Sequence, residues 1–396
     1  MNIYDHFKVR TIINAKGPST RVSGGFLAPE VAAAMTEAGK HCVDVGELQA
    51  AASSVIASVT GAEAGIVTTG AAAGLLLGTA ACVAGLDPGR MSRLPDTTGM
   101  KNEVIMVRSQ RNFYDHAVRA AGVKIMEVGL ADRVAGAGVR DAEPWEIEDA
   151  ISDKTAAIVY VANSTARPAL EEVVRVGQSR NIPVIVDAAA QLPPASNLRH
   201  FIAAGAGLVV FSGGKAIGGP QGSGILCGKR DLIMSAILQN LDLDIEWGQW
   251  SPPPGLIDKD RLVGIPAHGI GRTCKVGKET IIGLLVALEQ YVTQTDESRH
   301  VKWSARLQQL SKLLTGLNNA TVSLRGGAVP KLVLSTAPST NAMAVCIALQ
   351  NGQPSIQVDP THAAEGELTI NPSCLADGDL ETLARRLLEE FYKLDK

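Results

Sequence analysis

Short runs of β-branched and apolar residues recur through the middle of the chain, at Glu103–Arg108 (EVIMVR), Ala157–Val161 (AIVYV), Pro183–Asp187 (PVIVD) and Leu208–Ser212 (LVVFS). Amphipathic stretches such as Ala169–Ser179 separate them, with apolar positions at a helical period. Strands that are apolar on both faces and alternate with helices predict a mostly parallel sheet covered on each side, an α/β architecture. Such a sheet binds ligands beyond the carboxyl ends of its strands. After a proline-rich break at Ser251–Gly255 (SPPPG), a helical pattern runs from about Lys275 to Thr293. Apolar runs at Ala320–Leu324, Lys331–Ser335 and Glu367–Ile370 follow, and an amphipathic helix after Gly378 closes the chain, which reads as a smaller α+β domain. The expected organisation is an amino-terminal arm (1–25), a large domain (26–272), a connecting helix (273–295) and a small carboxyl-terminal domain (296–396), without internal repeats.

The stretch between Glu63 and Asp87 (AGIVTTGAAAGLLLGTAACVAGL) carries no charge and is long enough to raise the question of a membrane span. Its Gly, Ala and Thr content, and the Thr-Thr-Gly near its start, instead predict a strand-to-helix turn opening a buried helix. With 396 residues, 46% of them hydrophobic and 19% charged, the chain is expected to be globular. Its net charge of −3 and lack of like-charge runs argue against a nucleic-acid partner. Six cysteines (Cys42, Cys82, Cys227, Cys274, Cys346, Cys374) form no C-x-x-C pair, so reduced thiols and no metal site are expected. The amino terminus lacks the pattern of a secretory leader, which makes the cytoplasm the expected location.

The candidate chemistry lies in VIVDAAAQLPP (184–194) and LVVFSGGKAIGGPQGSG (208–224). Asp187 ends one strand and Lys215 stands just past the end of another, so a carboxylate and an amine are expected to face one crevice. That pairing suits pyridoxal 5'-phosphate, which needs a lysine amine for its aldehyde and an anionic partner for its pyridine nitrogen. Gly213 and Gly214 are expected to let the backbone turn sharply and approach the cofactor. A nucleotide P-loop is excluded at Lys215, because the earlier glycine position is Val209 and the next residue is Ala216. The small residues Thr68 to Gly74 open the uncharged helix, where exposed N–H groups suit a phosphate.

The runs TTGAAAGLLLGTAAC, RNFYDHAVRAAGVKIMEVG, VIVDAAAQLPP, FSGGKAIGGPQ and HGIGRTCKVGKETIIGLLVALE, spread from about Ile12 to Glu289, resemble the SelA-like family of fold-type I pyridoxal phosphate enzymes, and most closely its D-glucosaminate-6-phosphate ammonia-lyase branch. The resemblance implies an aspartate-aminotransferase-like large domain, a smaller carboxyl-terminal α+β domain, and a dimer or larger homo-oligomer with shared active sites. It makes Lys215 the Schiff-base lysine and Asp187 the partner of the pyridine nitrogen. Gly70, Ala71, Ala72 and Ser212 fall where the family holds the cofactor phosphate, and Gln110 where a residue covers the ring face. Arg272 and Arg21 each have two readings, an anion-binding residue or a surface arginine in a salt bridge. Tyr114 and His116 are candidates for a second acid or base at the substrate, or else structural residues. One departure stands out: where that branch is expected to have an arginine after the lysine, this chain has Gly218, which weakens the case for a phosphorylated substrate.

The resemblance implies an ammonia-lyase that removes a β-hydroxyl and releases ammonia from a hydroxy amino acid or amino sugar acid, such as D-glucosaminate 6-phosphate, leaving a 2-oxo acid. A racemase or epimerase is the alternative, followed by an aldolase and by a cofactor-free scaffold. Selenium transfer on a charged tRNA is disfavoured, because the chain shows neither an RNA-binding extension nor a basic charge balance.

Overall fold

The computed structural model describes residues 2–130, 141–337 and 341–393. Contacts divide the chain into two units, a larger one of Ala28–Gln290 and a smaller one that joins Met1–Leu27 to Tyr291–Lys396. The strands in chain order are β1 (Ile12–Asn14), β2 (Ala64–Thr68), β3 (Glu103–Val107), β4 (Lys124–Val128), β5 (Thr155–Val161) and β6 (Val184–Asp187). They continue with β7 (Leu208–Ser212), β8 (Gly224–Gly228), β9 (Ala320–Arg325), β10 (Lys331–Thr336), β11 (Ser355–Gln357) and β12 (Glu367–Ile370).

The larger unit is built on a seven-stranded sheet in the order β2-β8-β7-β6-β5-β3-β4. The pairs from β7 through β4 are parallel, while β8 runs antiparallel to both of its neighbours. The uncharged stretch resolves into β2 and the helix Ala71–Ala84. That helix is apolar on nearly every side because it is enclosed on nearly every side, with Leu75, Leu77, Ala80, Ala81 and Val83 all buried. Its glycines set the packing distance against the sheet. A Cβ on Gly74 would lie 2.8 Å from Val210 Cγ1, and one on Gly78 would lie 3.1 Å from Leu208 Cδ1. No helix among the described residues is long and apolar enough to cross a membrane.

The smaller unit contains the antiparallel sheet β12-β10-β9 and a parallel pair, β1 with β11, in which Asn14 lies opposite Gln357. Helices Asp296–Leu313, Ala342–Asn351 and Leu380–Lys393 supply Leu310, Leu349, Leu383, Leu387 and Phe391 to its core. Burial of each such side chain is worth roughly 1.5–3 kcal/mol.

Candidate active site

Asp187 is the last residue of β6, opposite Val161 of β5 on one side and Val210 of β7 on the other. It is buried, and its Oδ1 accepts the Ala189 N–H at 3.0 Å. Loss of solvent pushes its carboxyl above the usual carboxylate range, while the Ala189 N–H and the positive charge of Lys215 pull it back down. Lys215 lies three residues past β7, on a loop closed by Gly219 N–H to Gly213 O and Gly213 N–H to Ser223 O, each 2.9 Å. Burial pulls its amine below the ordinary lysine range, and the charge of Asp187 opposes that shift. The two groups therefore feel each other's charge across the carboxyl end of the sheet without sharing a hydrogen bond or an ion pair.

The phosphate-holding candidates converge at the same end. Gly70 precedes the helix Ala71–Ala84 with φ of 103°, and no side chain caps that terminus. A Cβ on Gly70 would meet nothing within 4 Å, so the turn borders open space at the helix start, whose first N–H groups lack partners within the helix. Gly224 opens β8 opposite Ser212, and a Cβ there would lie 2.4 Å from the Gly70 carbonyl carbon. Only a glycine lets β8 approach the helix start this closely, and this approach brings Gly70, Ala71 and Ser212 together. The glycines before Lys215 have a different reason from the expected turn. Neither adopts a left-handed φ; a Cβ on Gly213 would lie 2.2 Å from Ser223 Oγ, and one on Gly214 would lie 2.6 Å from Gln221 Cα.

Gln110 is buried beyond the end of β3, where its Oε1 accepts the Val161 N–H at 2.9 Å and its Nε2 donates to Arg167 O at 3.3 Å. Both ends of its amide are thus tied to main chain, which leaves the second Nε2–H and the face of the amide plane for a ligand. Tyr114 and His116 are exposed. His116 Nδ1 lies 2.9 Å from Arg119 Nη2, in a surface network with Arg111, Asp115 and Glu127. Neither Tyr114 nor His116 shares a hydrogen bond or a charge interaction with Lys215 or Asp187. Arg272 pairs with Asp242 at 2.9 Å and lines a cavity of about 620 Å³ with Asn240, Trp250 and Lys275. Its segment is tied to the turn before the helix start, because Thr69 Oγ1 donates to Cys274 O at 3.0 Å. Lys275, three residues after Arg272 in the sequence, lines the same cavity. Arg21 belongs to the smaller unit, where its Nη2 donates to Gln357 Oε1 at 2.6 Å. Gly218 has φ of +77° and a Cβ there would meet nothing within 4 Å, so it also borders open space.

The profile of the L-seryl-tRNA selenium transferase family, SelA, matches residues 37–243. A 5'-C-glycyluridine monooxygenase-decarboxylase from a Streptomyces species is 32% identical over 398 residues, covering 98% of this chain and 91% of the relative. The chain belongs to the SelA family. A D-glucosaminate-6-phosphate ammonia lyase of Salmonella typhimurium is 28% identical over 403 residues, covering 98% of this chain and 97% of the relative. A solved structure of D-glucosaminate-6-phosphate ammonia-lyase superposes with a TM-score of 0.82 at 27% identity, over 100% of both chains. This SelA-like chain therefore has the aspartate-aminotransferase-like fold type I and uses pyridoxal 5'-phosphate. Its own residues fit that cofactor: an uncapped helix start with open space above it for a phosphate, and beyond it a half-buried amine and a buried carboxylate in one electrostatic field.

Proposed function

We propose that this SelA-family protein is an ammonia-lyase acting by β-elimination on a hydroxy amino acid or amino sugar acid. The observation that carries the reading is the amine of Lys215, lowered by burial and facing the charge of Asp187. The likeness to D-glucosaminate-6-phosphate ammonia-lyase along the full length of both chains supports the choice of reaction. When bound, the cofactor supplies a ring that withdraws electrons from the substrate's α-carbon. Lys215 Nζ would hold the cofactor and would carry the α-proton; its lowered pKa makes the neutral, basic form more accessible. Asp187 would keep a proton on the pyridine nitrogen, with the Ala189 N–H fixing one of its oxygens. The Ala71 and Ala72 N–H groups and the Ser212 hydroxyl would hold the phosphate, and Gln110 would offer its amide face to the ring.

A racemase needs a second proton carrier on the opposite face of the substrate. His116 is engaged with Arg119 at the surface, which gives Tyr114 and His116 no support in that role. The Streptomyces relative favours a different second reading, an oxygen-consuming decarboxylation of an amino acid carbon. We also infer a homo-oligomer, because Phe113 and Val263 are 92% and 91% exposed, which a second copy would relieve. The deciding experiment is incubation with D- and L-hydroxy amino acids and amino sugar acids, following ammonia, 2-oxo acid, carbon dioxide, oxygen uptake and α-deuterium exchange. Ammonia and 2-oxo acid in equal amounts support the lyase. Exchange with inversion and no ammonia, or carbon dioxide release with oxygen uptake, replaces it.

A further inference from the structure

Three stretches of the larger unit that are far apart in sequence meet at the main-chain carbonyl of Cys274: the turn before the helix Ala71–Ala84, the end of the helix Arg230–Asn240, and the short helical turn Ile270–Cys274. Glycines wedge the last of these between the two helices. A Cβ on Gly269 would lie 2.5 Å from Gln239 Cα, and one on Gly271 would collide with Leu77 Cδ2 and lie 3.0 Å from Gln239 O. Gln239 and Leu77 are both fully buried, so the segment cannot shift without opening a packed contact.

A single side chain ties the wedge down. Asn240 is the last residue of its helix and 5% exposed, and its Nδ2 donates to Gly271 O at 2.9 Å and to Cys274 O at 3.3 Å. Gly271 O also accepts the Cys274 thiol at 3.2 Å. Cys274 O, with two lone pairs, accepts Thr69 Oγ1 as well, at 3.0 Å. Thr69 immediately precedes Gly70, whose carbonyl accepts the Thr68 hydroxyl at 2.9 Å and the Gly74 N–H at 3.2 Å. One buried amide thus fixes an acceptor, and that acceptor fixes the residue before the helix start. A side chain that only closes its own helix bonds to that helix's last turn; Asn240 instead reaches carbonyls 31 and 34 residues further along the chain.

We propose that Asn240 is a positioning residue for the cofactor's phosphate: by holding the Cys274 carbonyl where Thr69 bonds to it, Asn240 sets how the turn at Gly70 presents the N–H groups of the helix start. A rigid support behind the groups that touch a ligand is what gives those groups their precision. The inference rests on the reading that this turn holds the phosphate. The test is titration of the full chain, freed of cofactor, with pyridoxal 5'-phosphate and, separately, with pyridoxal, which carries the aldehyde and the ring but no phosphate. Binding is followed by the visible absorption formed on Lys215.

Asn240→Ala and Asn240→Asp should each weaken binding of pyridoxal 5'-phosphate by about tenfold or more, the worth of a hydrogen bond to a charged group, and leave binding of pyridoxal within roughly twofold of wild type. Thr69→Val should show the same selective loss. The double variant Asn240→Ala/Thr69→Val should lose no more than the larger single loss, because both residues act through one carbonyl. The aspartate keeps the shape but turns a carboxylate toward two carbonyls, whereas the alanine buries no charge, so one of the pair suffices if the other does not fold. Unchanged binding of pyridoxal 5'-phosphate, an equal loss for both compounds, additive losses in the double variant, or failure of both Asn240 variants to fold overturns the proposal and leaves Asn240 a packing residue. A wild type that binds pyridoxal as tightly as pyridoxal 5'-phosphate removes instead the phosphate reading on which the inference rests.

Discussion

Asp187 and Lys215 perturb each other from neighbouring strand ends: burial drives the carboxyl up and the amine down, and the charge of each partly reverses the shift of the other. A buried carboxyl and a half-buried amine whose pKa values are driven toward each other are costly to the fold and useful to chemistry.

Replacing Lys215 with alanine should abolish the visible absorption that survives dialysis and lower turnover by about 10²–10⁴-fold, the usual worth of a positioned proton carrier. Borohydride reduction of the wild type should fix the label on the peptide containing Lys215. A variant that retains normal turnover removes the mechanism.

The pH dependence of stability follows from Asp187. Its folded pKa lies above the ordinary aspartate value of 3.8, so the ionised carboxylate costs the fold stability above that pH, and the cost disappears once both states are protonated below it. Asp187→Asn should therefore melt higher than wild type at pH 7 as the cofactor-free protein, by about 2–4 °C per kcal/mol recovered. The difference should shrink as the pH falls toward 3.8. The same variant should bind the cofactor with impaired activity. Thermal melts at several pH values check the sign.

Gly224→Ala should damage the phosphate end of the site. Its new Cβ would lie 2.4 Å from main chain at Gly70, which cannot rotate away as a side chain can. A loss of about 1–3 kcal/mol in the denaturant midpoint is expected, together with weaker cofactor binding in a fluorescence titration.

Gln110→Ala should strand the Val161 N–H and the Arg167 carbonyl at once, costing roughly 1–3 kcal/mol. If the amide plane also covers the ring, the cofactor's absorption maximum shifts in the same variant; an unchanged spectrum leaves Gln110 a structural residue only.

Strand ends were readable where a strand is a local apolar run: the parallel, doubly covered Leu208–Ser212 and the antiparallel Glu367–Ile370 were both bounded to the residue. Asp187 and Lys215 were readable for the same reason, since a charged residue at the end of such a run marks the ligand edge. The antiparallel entry of β8 was not, because GILCG reads the same in either direction and its pairing depends on β2, some 160 residues earlier, and on β7. The pairing of β1 with β11 joins residues from opposite ends of the chain, and the neutral partner of Arg21 was invisible with it. The helical period placed His116 on a helix but carried no information on its depth, and the surface network that occupies it depends on Arg119 and its neighbours.

The glycine-lined helix Ala71–Ala84 also has a cost in time. The sheet surface that receives it is made by Leu208, Val210 and Leu226, so during translation the helix waits for well over a hundred residues before its seat exists. At about 5–20 residues per second, that delay is roughly 10–30 s, during which an uncharged, sticky segment is exposed outside the ribosome. Nascent chains of this protein should therefore be clients of chaperones early in synthesis and independent of them after β8 emerges.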